Sequence, residues 1–218
     1  MIELLLKVFA SYLIGSLIGS LIVGRLRGGV DIRTLGSGNA GGTNALRTQG
    51  KSFALWVMLI DIGKGVLATR VIASLSLQGL GLASAGAFRE WLPVVCGLAA
   101  IIGHVYPVWY GFRGGKGVAT LVGVVFGVEP ILLVAVLFVW LVTVVLFGFV
   151  SLASIVAALS IALVVAATGM QPYAPLLSFG AAVALLVAFT HRSNLARMRA
   201  GTEPRARRLW LLGRRRAS

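Results

Sequence analysis

Long apolar stretches separated by short polar segments make up most of the chain. From Pro130 to Thr190 the sequence contains no aspartate, glutamate, lysine or arginine. A run of that length without formal charge is typical of consecutive membrane spans and not of a soluble core. The pattern predicts about seven transmembrane helices, near residues 4–24, 53–72, 91–102, 118–128, 131–147, 149–167 and 174–190. Five spans remain the alternative if the fourth to sixth stretches are divided incorrectly.

The composition agrees with this fold class. Charged residues make up 12% of the chain, whereas a soluble domain carries about 25%. We therefore predict an all-α polytopic membrane protein that forms a single domain over residues 1–218. The first apolar stretch lacks a small-residue cleavage site, so we interpret it as a retained span and not as a signal peptide. The single cysteine, Cys96, excludes an internal disulfide and a multi-cysteine metal site, and we expect no metal and no cofactor.

Basic residues are concentrated in three polar segments. Residues 25–51 hold five lysines and arginines, residues 104–116 hold two, and the tail after residue 190 holds nine, whereas the connectors 78–90 and 168–173 hold one between them. The positive-inside rule then places the three basic segments and the C-terminus in the cytoplasm and the N-terminus outside. We attribute the net charge of +14 to this topology and not to nucleic acid binding.

The first polar motif is "GSGNAGGTNALR", residues 36–47. Its four glycines allow backbone N–H groups to converge on an anion, and a helix that begins near Thr43 would direct its positive end toward the same anion. A flexible polar loop is the alternative interpretation. The candidate site residues of this motif are Ser37, Gly38, Asn39, Thr43, Asn44 and Arg47.

The second polar motif, residues 103–120, is "GHVYPVWYGFRGGKGVAT". Gly114, Gly115 and Gly117 surround Lys116, so that the ammonium group and bare amides could approach one ligand. The motif is not a Walker A loop, because Tyr110 stands where that loop needs its first glycine. A membrane-flanking loop with snorkelling cations is the alternative, but it explains only the charges and not the glycines.

The third polar motif, residues 191–203, is "HRSNLARMRAGTE". His191, Asn194 and Arg197 are spaced by three, so they share one face of a helix and could hold a phosphate and a hydroxyl together. The other arginines of the tail are expected to contact anionic lipid. They are Arg199, Arg205, Arg207, Arg208, Arg214, Arg215 and Arg216.

Ionisable residues also occur inside the predicted spans. Asp61 and Lys64 lie in the second span, and each costs about 2.5–3.5 kcal/mol near the bilayer centre. Such residues face the protein interior and mark functional sites, so we expect a supporting role for Asp61, and for Lys64 either direct contact with substrate or a role through a residue that makes that contact. Pairing between the two is the alternative. His104, at the end of the third span, is equally consistent with a structural and a site residue.

The number of cations suggests two anionic ligands. One phosphate monoester carries about −1.5 to −2, which does not require Arg47, Lys64, Lys116 and Arg197 together. We therefore predict two phosphorylated substrates, one of them lipid-like. A transporter or channel for a phosphate-like anion is the main alternative, but it would need polar residues along several spans. A structural or lipid-binding membrane protein is another, but it would not need glycine-rich loops with ordered polar residues.

The three motifs in this order, together with Asp61 and Lys64 in "DIGKG", resemble the bacterial acyl-phosphate:glycerol-3-phosphate acyltransferase (PlsY) family over essentially the whole chain. The family usually has proline where Ala40 stands, a change expected to loosen the first loop. The resemblance implies transfer of a fatty acyl group from acyl phosphate to the first hydroxyl of sn-glycerol 3-phosphate. The products would be lysophosphatidic acid and inorganic phosphate, formed at the cytoplasmic face of the bacterial inner membrane.

The resemblance also suggests that the phosphate of the acyl donor takes the hydroxyl proton, without an acyl-enzyme, and His191 is the alternative base. The expected partners are fatty acyl phosphate, sn-glycerol 3-phosphate and membrane lipids, and no nucleic acid. The predicted catalytic residues are Lys116, Arg47, His191 and Ser37. The predicted substrate-binding residues are Gly38, Asn39, Thr43, Asn44, Lys64, His104, Gly114, Gly115, Gly117, Asn194 and Arg197.

Overall fold

The computed structural model describes residues 1–77 and 86–211, and within these ranges the chain is helical and has no β-strand. Its α-helices are α1 (Ile2–Gly15), α2 (Gly19–Leu26), α3 (Gly42–Val66), α4 (Leu92–Val105), α5 (Val118–Val128), α6 (Pro130–Phe147), α7 (Val150–Thr168), α8 (Tyr173–Thr190) and α9 (Arg192–Arg199). A π-helical turn, Leu67–Ile72, continues α3, and short 3₁₀ turns lie at Ile32–Thr34, Gly86–Trp91 and Val108–Tyr110. The predictions for connector residues 78–85 and for Arg214, Arg215 and Arg216 fall outside the described residues.

The chain divides into two compact units, Met1–Glu129 and Pro130–Ser218. In the first unit, α1 packs along α4 and α3 packs along α5. Both crossings depend on glycine, since a Cβ on Gly103 would collide with the carbonyl of Tyr12 and a Cβ on Gly123 with the carbonyl of Ile62. Small residues at such crossings let two backbones approach closely, which is how helices associate in a membrane.

In the second unit, α6 packs on α7 and α7 packs on α8. The turn between α6 and α7 contains Gly148 at φ 78°, a conformation that glycine adopts without the steric cost of a side chain. The predicted boundary between the fifth and sixth spans at Gly148 is confirmed. The predicted seventh span, residues 174–190, corresponds to α8, so the apolar pattern located the helices of this unit to within a residue or two.

Four helical segments are long and apolar enough to cross a membrane: Phe88–Tyr110, Pro130–Phe147, Val150–Thr168 and Tyr173–Thr190. The pair α1 and α2, bent by 45°, would make a fifth. The prediction of seven spans is thus not confirmed by length and composition. The helix α5 has 11 residues and extends only about 16 Å at 1.5 Å per residue, and α3 contains Asp61 and Lys64.

The first predicted span is not a continuous helix. α1 ends at Gly15 and α2 begins at Gly19, and the residues between them carry the 45° bend. Glycine–serine pairs occur on both sides of the break, at Gly15–Ser16 and Gly19–Ser20, and such pairs are a known cause of helix kinks. The carbonyl and amide groups exposed by this break are held by side chains from α3.

Candidate functional site

Asp61 and Lys64 connect the two halves of the broken first span. The backbone N–H of Gly19, in the first turn of α2, donates to Oδ1 of Asp61 at 3.1 Å. Nζ of Lys64 donates to the carbonyl of Leu17 at 2.7 Å and lies 2.9 Å from the same Asp61 oxygen. The two side chains are 0% and 4% exposed. They pair with each other, as the alternative interpretation proposed, and they also satisfy the backbone groups that the break leaves without helical partners.

His104 joins this buried pair to the second polar motif. Nζ of Lys64 lies 2.8 Å from Nδ1 of His104, and Oδ1 of Asp61 lies 3.4 Å from the same nitrogen. A charged lysine can only donate, so Nδ1 accepts and the ring proton is on Nε2. His104 is 2% exposed. Three ionisable side chains from α3 and α4 therefore form one buried cluster under the glycine-rich loop.

The glycines of the second motif pack directly on His104. A Cβ on Gly115 would collide with Nε2 of His104, and a Cβ on Gly114 with its carbonyl oxygen. The amide of Gly115 donates to the His104 carbonyl at 3.1 Å, and the amide of Gly114 to the Val105 carbonyl at 3.2 Å. These two amides are therefore directed at the chain itself. The partly exposed Lys116 follows them, and Gly117, at φ 82°, leads into α5.

The first polar motif is organised around Asn44. Its Nδ2 donates to the carbonyls of Ile32, Leu35 and Asn39, each at 3.0 Å, and its Oδ1 accepts from the amide of Ser37 at 3.0 Å. At 2% exposure, Asn44 uses both its amide N–H groups and its carbonyl oxygen to fix the loop. Asn44 is one of the predicted substrate-binding residues, and its side chain is buried under the loop.

The remaining site residues of the first motif lie on the outside of this loop. Ser37, Gly38, Thr43 and Arg47 are exposed, and Asn39 is partly exposed. The predicted helix start near Thr43 is confirmed, because α3 begins at Gly42. No ion pair of Arg47 is found within residues 1–77 and 86–211. Its exposed guanidinium is available to an anionic ligand.

The buried Ala40 anchors the first loop from below. It is 0% exposed and belongs to a small apolar cluster with Ile18 and Leu21, against which Tyr110 packs. Its carbonyl accepts from Oγ of Ser20 at 2.8 Å. Alanine at this position is therefore held by packing and by a hydrogen bond to its backbone carbonyl.

Arg33 links the first polar motif region to the second. Its Nη2 lies 2.7 Å from Oδ2 of Asp31, and its Nη1 donates to the carbonyls of Tyr110 and Arg113 at 3.3 and 3.2 Å. The hydrogen bonds from Arg33 lower the pKa of Asp31, and the same bonds raise the pKa of the Arg33 guanidinium. The basic composition of residues 25–51 does not predict this role of Arg33, although the spacing Asp31-Ile32-Arg33 is a signal for the ion pair.

In the second unit, His191 lies at the end of α8. It is 4% exposed, and its Nδ1 lies 2.9 Å from the carbonyl of Val187. A carbonyl only accepts, so Nδ1 carries the proton and Nε2 is the acceptor nitrogen of the neutral ring. An acceptor nitrogen is what a hydroxyl group of a substrate requires, either for orientation or for proton removal.

Asn194 and Arg197 both bind the carboxylate of Glu203. Nδ2 of Asn194 donates to Oε1 at 2.7 Å, Nε of Arg197 donates to Oε2 at 2.8 Å, and Oγ of Ser151 at the start of α7 donates to Oε1 at 2.8 Å. Burial raises the pKa of Glu203, but these three hydrogen bonds lower it by more, so the net pKa is below the ordinary value. Sequence reasoning included Glu203 in the motif without a role and missed Ser151.

The substitution Glu203→Gln should reduce stability by about 1.5–3 kcal/mol near neutral pH, the range for hydrogen bonds to a charged group. Since the pKa of Glu203 is lower in the folded chain than its ordinary value of 4.5, its contribution is complete above that pH and is lost as the pH falls through the folded-state pKa. Thermal unfolding of both proteins across this range measures the difference. The matched control is Glu90→Gln, because Glu90 is exposed; an equal loss in both variants would contradict the assignment.

The candidate site residues thus fall into two groups. In the first unit, the loops of the first two motifs adjoin through Arg33, and Lys64 and His104 lie under the second loop. In the second unit, His191, Asn194 and Arg197 lie at the end of α8 and along α9. No group of three or more histidine, cysteine, aspartate or glutamate side chains that could hold a metal is found among the residues that the structure describes.

Comparison with known proteins identifies the family. The family model "Glycerol-3-phosphate acyltransferase" matches residues 5–201, which include the first two polar motifs and most of the third. A glycerol-3-phosphate acyltransferase of Chlorobaculum parvum is 39% identical over 230 residues, covering 94% of this chain and 97% of that protein. The enzyme of that name from Synechococcus sp. strain CC9902 is 39% identical over 202 residues, covering 92% and 94%.

Solved structures give the same result. The crystal structure of PlsY, described as an integral membrane glycerol 3-phosphate acyltransferase in its glycerol 3-phosphate form, superposes with a TM-score of 0.78 at 37% identity. It covers 93% of this chain and 94% of the solved chain. The lysophosphatidic acid form gives a TM-score of 0.76 at 36% identity. The chain therefore belongs to the glycerol-3-phosphate acyltransferase family of integral membrane proteins.

Proposed function

We propose that the chain transfers a fatty acyl group from acyl phosphate to the first hydroxyl of sn-glycerol 3-phosphate, as the first step of phospholipid synthesis. The observation that carries this proposal is the family match over residues 5–201, together with a glycerol 3-phosphate form among the similar structures. The direct contact of Arg33 with the second polar loop supports it, because this contact joins the first polar segment to the second.

The chemistry requires little more than binding and charge compensation. Acyl phosphate is a mixed anhydride, so its carbonyl carbon is already activated toward a hydroxyl. The hydroxyl oxygen forms a bond to that carbon, the bond from the carbon to the phosphate oxygen breaks, and the hydroxyl proton goes to the departing phosphate. Arg47 and Lys116 would offset the negative charge of the two phosphates and hold the reactants together, which lowers the barrier by positioning and by electrostatics.

Ser37 and the third motif are assigned to the acceptor. Ser37 is exposed on the first loop, and His191 would orient a glycerol hydroxyl through a hydrogen bond. Arg197 keeps donor groups beyond the Nε that binds Glu203, since a guanidinium has five N–H groups. Lys64 and His104 would support the second loop from the buried cluster beneath it.

Replacement of His191 by glutamine distinguishes positioning from base catalysis. If the donor phosphate takes the proton, His191→Gln should raise KM for glycerol 3-phosphate by about tenfold, the value of one hydrogen bond, and should change kcat by less than that. Steady-state kinetics in both substrates measure the two effects. A fall in kcat of about a hundredfold or more, with KM unchanged, would identify His191 as the base and contradict the proposed route of the proton.

A comparison of acyl donors tests the proposed function. Purified protein should form lysophosphatidic acid from glycerol 3-phosphate and palmitoyl phosphate, with one inorganic phosphate released per product, and should form none from acyl-CoA or acyl carrier protein. Product from acyl-CoA alone would contradict the donor assignment. Counterflow of glycerol 3-phosphate across liposomes without any product would favour a transporter.

We further propose that the chain lies in the bacterial inner membrane with the N-terminus outside and the site facing the cytoplasm. If the first two polar loops are both cytoplasmic, the chain must cross the membrane twice between them. One of these two crossings has to be α3. The buried state of Asp61 and Lys64 supports this, since their charges do not face lipid. With α5 also crossing, the seven predicted spans are retained. In inside-out vesicles external glycerol 3-phosphate should be acylated, and in right-side-out vesicles it should not.

A further inference from the structure

The segment after α9 packs on the turn between α6 and α7. The amide of Ala206 donates to the carbonyl of Gly148 at 2.7 Å, and the amide of Trp210 donates back to Ala206 at 3.1 Å. Nε1 of Trp210 donates to the carbonyl of Leu146 at 3.1 Å. Leu146 is in the last turn of α6, where carbonyls have no helical partner, so the segment caps this helix. We call residues 203–211 the tail segment.

Arg205 closes the contact by stacking on two aromatic rings. Its guanidinium carbon lies 4.6 Å from the ring centroid of Phe149 and 4.0 Å from that of Trp210. The position is also favourable because a cation at the carboxyl end of a helix complements the helix dipole. The tail segment is therefore attached at the level where two candidate membrane spans end.

The outer side of the tail segment combines cations with large apolar side chains. Arg207 and Arg208 are exposed, and Leu209 and Leu211 are 43% and 54% exposed. Between these leucines lies Trp210, a residue type enriched where a bilayer meets water. Arginines beside exposed leucines and a tryptophan are the composition of segments that lie in the headgroup region of a membrane.

We propose that the tail segment lies in the headgroup layer of the cytoplasmic leaflet and binds anionic phospholipid. Arg207 and Arg208 would contact the lipid phosphates, and Leu209 and Leu211 would insert between the upper parts of the acyl chains. Charge complementarity favours this occupant, because the cytoplasmic leaflet is negatively charged and attracts basic residues next to a span. The attachment of the segment to the end of α6 keeps these side chains at bilayer depth.

The binding of lipid would be coupled to the third polar motif. The tail segment begins at Glu203, whose carboxylate holds Asn194 and Arg197. A membrane surface that stabilises the tail segment therefore also stabilises the placement of these two side chains. Under the proposed function, anionic lipid should then increase the affinity for glycerol 3-phosphate. This consequence depends on the proposed function, whereas the lipid contact itself does not.

Amide hydrogen exchange of the full chain in nanodiscs tests the lipid contact. Each arginine near an anionic surface shifts an equilibrium by about fivefold, so phosphatidylglycerol should slow exchange at Ala206 and Trp210 by about 25-fold relative to neutral phosphatidylcholine discs. The double variant Arg207→Gln/Arg208→Gln should lose this slowing. The matched control Arg25→Gln/Arg27→Gln, which removes two exposed cations from a different segment, should keep it.

Three results would overturn the proposal. One is equal exchange of the unmodified chain in neutral and anionic discs. Another is slowing that persists in the double variant. Slowing in the unmodified chain that persists at high ionic strength would count equally, because salt should screen such contacts. The third is equal slowing by inorganic phosphate added to neutral discs, which would assign the arginines to free phosphate. If exchange depends on lipid but KM does not, the lipid contact stands and the coupling through Glu203 fails.

Discussion

Lys116→Ala is expected to lower kcat/KM by about a hundred- to a thousandfold, which is the effect of removing one charge-stabilising group from an acyl-transfer site. The lysine stands between Gly115, which packs on His104, and Gly117, which leads into α5. Its position is therefore set by the buried cluster below it. Initial rates with palmitoyl phosphate and glycerol 3-phosphate measure the loss.

The matched control for this prediction is Arg113→Ala. Arg113 is an exposed cation of the same loop, and its contact with Arg33 uses the backbone carbonyl, which alanine retains. We expect its activity to stay within a few-fold of the unmodified chain. Thermal unfolding should show that both variants remain folded. Near-normal turnover of a folded Lys116→Ala protein would show that this cation does not take part in the reaction.

Asp61→Ala is expected to destabilise the protein by about 3–5 kcal/mol, the usual cost of leaving one partner of a buried ion pair uncompensated. The loss has two sources here. Lys64, at 4% side-chain exposure, keeps its charge without a counter-ion, and the amide of Gly19 loses its acceptor. Thermal unfolding in detergent measures the effect, with Glu90→Gln as the control for loss of a carboxylate at an exposed position.

A second variant separates the two sources. In Asp61→Ala/Lys64→Met no charged side chain of this buried pair remains, so part of the stability should return. The return should be incomplete, because the Gly19 amide and the Leu17 carbonyl still lack the partners that close the break between α1 and α2. Activity should stay low, since His104 has lost the donor that fixes its ring. Unaltered unfolding of Asp61→Ala would show that the cluster is not a structural support.

The apolar pattern predicted much of the fold because helices that face lipid consist of apolar residues. In the second unit the boundary at Gly148 and the limits of α8 follow directly from it. It failed at the break between α1 and α2, where the residues remain apolar and only the glycine–serine pairs mark the kink. The backbone groups exposed at this break are satisfied by side chains of α3 that lie more than 40 positions away in the sequence.

The residue types at the site could be predicted from the sequence, but the role of each residue could be predicted less well. Glycine, lysine and arginine at the polar loops indicated anion binding, and the structure leaves Arg47 and Ser37 exposed for it. Asn44 has the same polar character, yet its four hydrogen bonds all go to the loop itself. Hydrogen-bonding capacity is visible in a sequence, whereas its use depends on which carbonyls the fold brings near.

The central claim is that the polar loops hold two phosphorylated substrates together until one acylates the other. A crystal structure of this chain with glycerol 3-phosphate and an unreactive acyl phosphate analogue tests it most directly. We expect both phosphates to lie beside the first two polar loops, each in contact with Arg47 or Lys116. Phosphates bound away from these loops, or both side chains directed away from the ligands, would contradict the account.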